Sequence, residues 1–279
     1  MSEEKPREPR RPREENPPPD HPVADGPILD GLLMALRFYS RLPTGRRTHA
    51  PPDLNRMATA LPFASLMIGA LPAILLLVAG VLGLPRLFGA GLAVAAAVAV
   101  TGAMAEDALA DAADGLFGGR DRDRRLEIMK DSRHGTYGVA ALCLFLLLRV
   151  AALSSMVGVE PLAAAAVWLS AMLMARSGAL WLTVVLPPAR LEGASATVGR
   201  LAAPAFAMGS VIALILGLIL GAPGAGLKGF VAAVAFMSIT TAGWAFLCRR
   251  LVGGQTGDLI GALQALLEIA ALTGYLVVT

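Results

Sequence analysis

The chain has 279 residues, of which 56% are hydrophobic and only 16% charged, against about 25% charged in an ordinary soluble domain. The net charge of +3 includes no contiguous basic face with interleaved aromatics, which excludes a nucleic-acid partner. Two cysteines, Cys143 and Cys248, both lie in apolar runs, too few for a disulfide framework or a zinc site. The composition predicts one all-α domain embedded in a bilayer, its helices packed closely through Ala and Gly.

Residues 1–26, rich in Pro, Arg and Glu, predict a disordered tail, and no apolar stretch follows to make it a signal peptide. The membrane domain is then 27–279. Residues 28–40 form an apolar stretch carrying Asp30 and Arg37, too short to span and suited to an interfacial or re-entrant helix. A polar, Pro-broken loop follows at 41–56.

Seven runs are then long enough to cross a membrane: 57–82, 87–105, 138–157, 162–186, 202–221, 229–248 and 259–278. With the N-terminus inside, the inner connections are 1–56, 106–137, 187–201 and 249–258. Beyond the tail they hold Arg41, Arg46, Arg47, Arg56, Arg120, Arg122, Arg124, Arg125, Lys130, Arg133, Arg190, Arg200, Arg249 and Arg250. The outer connections hold Arg86 and Lys228 alone. The positive-inside rule therefore predicts a polytopic bundle with a cytoplasmic N-terminus and every long polar loop on the cytoplasmic face.

The longest inner loop carries the chemistry. If the second span continues outward as helix, Asp107, Asp111 and Asp114 stand at i, i+4 and i+7, within about 60° on one face. Three like charges so placed call for a cation, and carboxylate oxygens suit a hard ion such as Mg²⁺, Mn²⁺ or Ca²⁺. Gly115, Gly118 and Gly119 end the helix and offer backbone amides to a phosphate. Arg122, Arg124, Arg125, Lys130 and Arg133 add cations, some of which merely obey the inside-positive bias. Asp131, between Lys130 and Arg133, is placed to complete a metal shell or act as a base. The pattern fits metal-assisted phosphoryl transfer. His134, a lone histidine, reads as structural.

Further along, Asp258 follows GGQTG and reads equally as a helix cap or as a substrate contact. Glu268 lies about 15 Å deeper along the last span and needs a buried partner, with Arg149 and Arg176 the candidates. Gln264 stands one turn before it. Asp30, Arg37 and Arg41 are further candidates for substrate contact. Trp168, Trp181 and Trp244 read as packing or interfacial anchors.

The run EDALADAADGLFGG followed by RRLEIMKDSRHGTYG resembles the signature of the cobalamin synthase family, the adenosylcobinamide-GDP ribazoletransferases. RFYSRLPTG (37–45), LPPARLEG (186–193) and GGQTGDLIGALQALLE (253–268) fit the same family in the same order. Ala105 and Ala108 stand where that signature has a His and a Gly; its three aspartates are retained. The resemblance implies transfer of the adenosylcobinamide phosphate moiety from adenosylcobinamide-GDP to α-ribazole or its 5′-phosphate. GMP is released by an integral, Mg²⁺-using enzyme of the bacterial inner membrane. Asp107, Asp111 and Asp114 would then hold the metal. Lys130, Asp131 and Arg133 would serve catalysis, and Arg41, Gly118, Gly119, Arg190 and Asp258 would contact substrate. A homo-oligomer is compatible with the sequence. Two rivals are weaker. A CDP-alcohol phosphotransferase has no natural place for LEIMKDSRHGTYG. An ion-coupled transporter would show internal repeats and carboxylates at mid-membrane.

Overall fold

The computed structural model describes residues 27–45, 53–131, 133–158, 160–190 and 201–278. The expected tail at 1–26, Arg46, Arg47, Arg200 and most of the third inner loop lie outside them. Ten helices run in order among the described residues: α1 (Pro27–Tyr39), α2 (Leu54–Val81), α3 (Arg86–Thr101), α4 (Met104–Gly118), α5 (Arg122–Ile128), α6 (Thr136–Val157), α7 (Pro161–Ala179), α8 (Trp181–Val185), α9 (Ala203–Val252) and α10 (Gly257–Val278). The all-α expectation holds.

By length and apolar composition five helices can cross a membrane, or six if the bent pair α3–α4 is one span. Their outer faces are apolar: Leu71, Ile74, Leu147, Ile215, Ile219, Val231 and Ile239 are all exposed. In water such a surface would drive aggregation; in lipid it is the solvated state.

The 50-residue α9 is two arms. Residues 206–214 and 234–242 line one cavity, whereas a straight helix would hold positions 210 and 238 about 42 Å apart. The chain folds back at Gly226, with φ 72° and ψ 165°, a region open to glycine alone. The two arms match the expected runs at 202–221 and 229–248.

The run at 87–105 departs from expectation. α3 stops after 16 residues, about 24 Å, and α4 leaves it at 86°. The acidic helix is thus a separate element rather than an outward continuation of the span. Gly102 (φ 66°) and Ala103 (φ 59°) make the break in the left-handed region. The Arg41 side chain packs over Gly102, and the Arg41 N–H donates to the Val100 carbonyl at 2.7 Å. Ala103 is the one non-glycine residue with positive φ among the described residues. That strain sits directly before the helix that carries the aspartates.

α10 is the central post. Its Leu259, Leu263, Leu267, Ala271 and Tyr275 are buried, and it packs against both α4 and α7 and against α9. Short connections meet at one end of the bundle, where Gly80 packs on Pro161, Gly158 on Arg86 and Gly224 on Ala163. The polar connections meet at the other. There Arg122 donates to the carbonyls of Val252 (2.9 Å) and Ala189 (2.8 Å), and Arg190 donates to that of Leu126.

Midway along α10 the expected buried ion pair is present. Glu268 takes two hydrogen bonds from Arg149 on α6, at 2.7 and 3.1 Å. Arg149 also donates to Glu106 of α4 at 2.9 Å. Trp168 Nε1 donates to Glu268 at 2.7 Å, so this tryptophan closes a polar cluster. Trp244 bonds the Leu259 carbonyl, and Trp181 packs on Phe206.

Candidate active site

A cavity of about 590 Å³ opens among the polar connections. α1 contributes Phe38 and Tyr39, α4 contributes Met104, Ala105, Asp107 and Ala108, the chain after α7 contributes Leu180, Thr183 and Val185 to Pro188, and α10 contributes Asp258 and Gln264. Its walls are chiefly apolar, with Asp107, Asp258, Gln255, Gln264 and Thr183 as the polar groups. A few polar groups in an apolar cleft of this size is the usual form of a small-molecule site.

Asp107 is exposed to this cavity. Asp111, one turn on, is half-buried. Burial pushes its carboxyl up to about 6, and the negative charges of Asp107 and then Asp258 add to the effect. His134 Nδ1 lies 3.7 Å from Asp111 Oδ1 and works in the opposite sense. Thr256 caps α10, since the Leu259 N–H donates to Thr256 Oγ1 at 3.3 Å, and the Thr256 hydroxyl donates to Asp258 Oδ2 at 3.4 Å. Of the two readings of Asp258, the cap therefore falls to its neighbour. Asp107, Asp111 and Asp258, from two helices, form one electrostatic group.

Asp114 faces elsewhere. It is buried, and its carboxylate accepts the N–H groups of Gly135 (2.6 Å) and Gly138 (2.8 Å). Asp114 thereby caps α6, which has no cap of its own in sequence. A Cβ at Gly138 would stand 2.3 Å from Asp114 Oδ2, so glycine is required there. Among the described residues no three His, Cys, Asp or Glu side chains are drawn together closely enough to hold a metal ion.

The glycines and cations after α4 are engaged in building the loop. The Gly119 N–H donates to the Gly115 carbonyl, and the Arg125 backbone lies against Gly119. Gly118 is exposed. Arg125 donates to the carbonyls of Leu116 and Leu251, and Arg122 to those of Val252 and Ala189. These two arginines satisfy the open carbonyls at the ends of α4 and α9. Arg124 pairs with Glu127 at the surface.

Lys130, Asp131 and Arg133 lie in the turn between α5 and α6 and do not line the cavity. Arg133 forks onto Asp131 at 2.7 and 3.0 Å. Those hydrogen bonds hold the Asp131 carboxyl down at about 2, far from the range of an efficient general base near neutrality. Arg190 reaches the Leu126 carbonyl, and its buried Nε has no partner among the described residues. Asp30 lies 4.0 Å from Arg56, and Arg37 holds Thr44.

Ala105 and Ala108 both line the cavity. Ala108 also packs against Gly261 of α10, where a Cβ would stand 2.4 Å away. Gln255 and Thr183 were not singled out by the sequence. The only signal for Gln255 is its place before Thr256 in a loop that precedes a helix.

Residues 31–276 match the cobalamin-5-phosphate synthase family model. The chain is 44% identical over 247 residues to an adenosylcobinamide-GDP ribazoletransferase of Azorhizobium caulinodans, covering 87% of this chain and 94% of that one. It is 44% identical over 252 residues to the protein of the same name from Xanthobacter autotrophicus, covering 88% and 95%. A third, from a Sinorhizobium species, is 42% identical over 245 residues. No solved structure matches. The apolar bundle, the carboxylate-lined cavity and these matches agree: the chain belongs to the cobalamin-5-phosphate synthase family.

Proposed function

We propose that this cavity is where the chain acts as an adenosylcobinamide-GDP ribazoletransferase, completing cobalamin. The observation that carries the reading is the coincidence of the family match with Asp107 and Asp258 facing each other's field in one cavity. A ribose hydroxyl oxygen of α-ribazole, or of its 5′-phosphate, forms a new P–O bond at the phosphorus next to the cobinamide side chain. The P–O bond to the GMP portion breaks, GMP leaves with the bonding electron pair, and the hydroxyl proton passes to a base.

Asp107, Asp111 and Asp258 are carboxylates of the kind that suits Mg²⁺, and the substrate's phosphates would have to complete the ion's shell, since these three side chains do not by themselves gather into an ion site. Asp114 supports them from behind by fixing α6 on α4. When bound, such an ion neutralises charge on the two phosphates as the bond breaks. Asp107 and Asp258 would set the place of the phosphates only through that ion, and the chiefly apolar lining excludes water that would otherwise compete with the ribose hydroxyl. Arg190, beside Asp258 and with a free Nε, and Arg41, at the α3–α4 break, are assigned to phosphate oxygens. The excess of Arg and Lys in the connections around the cavity supports a cytoplasmic active face in the inner membrane.

Purified protein in liposomes, given adenosylcobinamide-GDP, α-ribazole and Mg²⁺, should release GMP only when both substrates are present. A folded protein without such turnover would overturn the assignment. Asp111→Asn should abolish the metal-dependent rate without loss of expression.

A further inference from the structure

The cavity changes character with depth. Asp258 opens α10, and Gln264 stands about 9 Å deeper along the same helix. The surrounding wall is supplied chiefly by Phe38, Tyr39, Met104, Leu180, Leu186 and Ile260. Phe38 and Tyr39 stand edge to face there, with ring centroids 4.9 Å apart. Of the other polar lining groups, Thr183 donates its hydroxyl proton to the Leu180 carbonyl at 2.7 Å, and the Gln255 side chain is almost wholly enclosed. Gln264 is half-buried and makes no hydrogen bond among the described residues. It is therefore the polar side chain that this apolar wall leaves open to a ligand.

A cavity of about 590 Å³ takes a ligand of nucleoside size. The corrin macrocycle with its arms is too large to enter. Two parts of the proposed substrates then compete for the place: the guanosine of the leaving group and the benzimidazole riboside of the acceptor. Their bases differ in what burial demands. Guanine carries a ring N–H, an exocyclic amine, a carbonyl and ring nitrogens around its edge, and each costs free energy if it is buried without a partner. One half-buried amide cannot meet them all. A dimethylbenzimidazole carries two methyl groups and flat apolar faces, which suit an aromatic and aliphatic wall. Its polar demand is one ring nitrogen, an acceptor, and a single amide N–H meets it.

We propose that the deep apolar part of the cavity is the acceptor subsite, taking the base of a benzimidazole riboside, with the Gln264 amide N–H donating to the ring nitrogen that carries no sugar. This deepens the ribazoletransferase reading and rests on it, since Asp107 and Asp258 are left to the ion and phosphates. The apolar wall selects the base, and Gln264 fixes which edge of it points inward. The sugar hydroxyl then points back toward the two aspartates, and the nucleotide-activated corrin meets it from the cavity mouth.

The test is equilibrium binding to full-length protein in nanodiscs, which needs no turnover, together with steady-state KM for each substrate. Wild-type protein should bind α-ribazole about tenfold more tightly than the same riboside without its two methyl groups, and guanosine should compete at least tenfold more weakly than α-ribazole. Q264L removes the N–H donor at similar volume. It should weaken α-ribazole about fivefold, in binding and in KM, while adenosylcobinamide-GDP stays within twofold. The matching dimethylindole riboside, with C–H in place of the ring nitrogen, should bind wild type about fivefold more weakly than α-ribazole and bind Q264L as tightly as α-ribazole does. The ligand series on wild-type protein gives the readout even if Q264L folds poorly. Guanosine binding as tightly as α-ribazole, methyl groups without effect, or a folded Q264L whose loss is absent or confined to adenosylcobinamide-GDP overturns the inference and leaves the ribazoletransferase reading standing. Wild-type protein that binds neither adenosylcobinamide-GDP nor α-ribazole removes that reading instead.

Discussion

Replacing Arg149 by Met tests how the bundle carries charge through its apolar interior. Arg149 is 6% exposed and serves two carboxylates of equal burial, Glu268 at 2.7 Å and Glu106 at 2.9 Å. Its guanidinium also lies over the rings of Phe145 and Trp168, at 5.3 and 5.6 Å. Met fills much of the volume but leaves both acids beside Arg176 alone, which makes no ion pair among the described residues. Removing one partner of a buried pair costs about 3–5 kcal/mol. Against a total stability of about 5–15 kcal/mol, this is a large fraction. Denaturant unfolding in detergent, followed by the fluorescence of buried Trp168, measures it. The triple variant Arg149→Met, Glu106→Gln, Glu268→Gln should recover part of the loss, because no buried acid is then left unpaired and Arg176 is the one buried charge remaining at the cluster. A loss under about 1 kcal/mol in Arg149→Met, or a triple variant no better than the single one, would refute the reasoning.

Four further outcomes follow from the site and the fold-back of α9. Asp111 is raised to about 6, so the native state holds its proton more tightly than the unfolded chain does, whose carboxyl titrates near 3.9. Stability contributed by this group is gained as pH falls from about 6 to about 4 and is lost as pH rises through that window, the reverse of a salt-bridged aspartate. Thermal unfolding in chelator across that range should show this rise, and Asp111→Asn should flatten it. Divalent-ion affinity should fall below pH 6 as the ligand protonates, read by titration calorimetry. Asp114→Ala should cost about 1–3 kcal/mol by leaving two amides unmet and speed hydrogen exchange at Gly135 and Gly138, whereas Asp107→Ala should spare stability and remove turnover. Gly226→Ala should cost about 1–3 kcal/mol at its glycine-only dihedrals, measured as a lower melting temperature in detergent.

The spanning elements were legible because apolar length is a first-order demand of a bilayer, and no neighbour can supply it. Both arms of α9 were readable on that ground, each being long and apolar enough on its own side of Gly226. The break after Thr101 was not readable, since it depends on Arg41 lying over Gly102 from about sixty residues away. The need for a partner to Glu268 was readable from the cost of a lone charge in hydrocarbon. The choice of Arg149 over Arg176, and the entry of Glu106, were not, because they depend on how α4, α6 and α10 are rotated against each other. A helical wheel placed Asp114 with Asp107 and Asp111. What turns its carboxylate away is a pair of amides on α6, contributed by a segment more than twenty positions on. The glycines after α4 looked like a phosphate cradle by composition. Only the packing of Arg125 shows that Gly119 serves to admit a neighbouring backbone.

Compensation then separates the acidic residues by what they are for. Glu106 and Glu268 point into the bundle and share a guanidinium; Asp114 points toward α6 and takes two amide protons. Each is stabilised by the protein itself, and each therefore reads as part of the frame. Asp107, Asp111 and Asp258 have no Lys or Arg within ion-pair distance among the described residues, and they raise one another's cost, as the shift at Asp111 records. On the proposed reading, a cation accompanying the phosphates would relieve that repulsion by entering between α4 and α10. Glu106 and Glu268, one on each of those helices, meet on Arg149 next to Ala105 and Gln264, which line the cavity. Loss of Arg149 should therefore weaken divalent-ion affinity as well as stability, although the residue touches neither ion nor substrate.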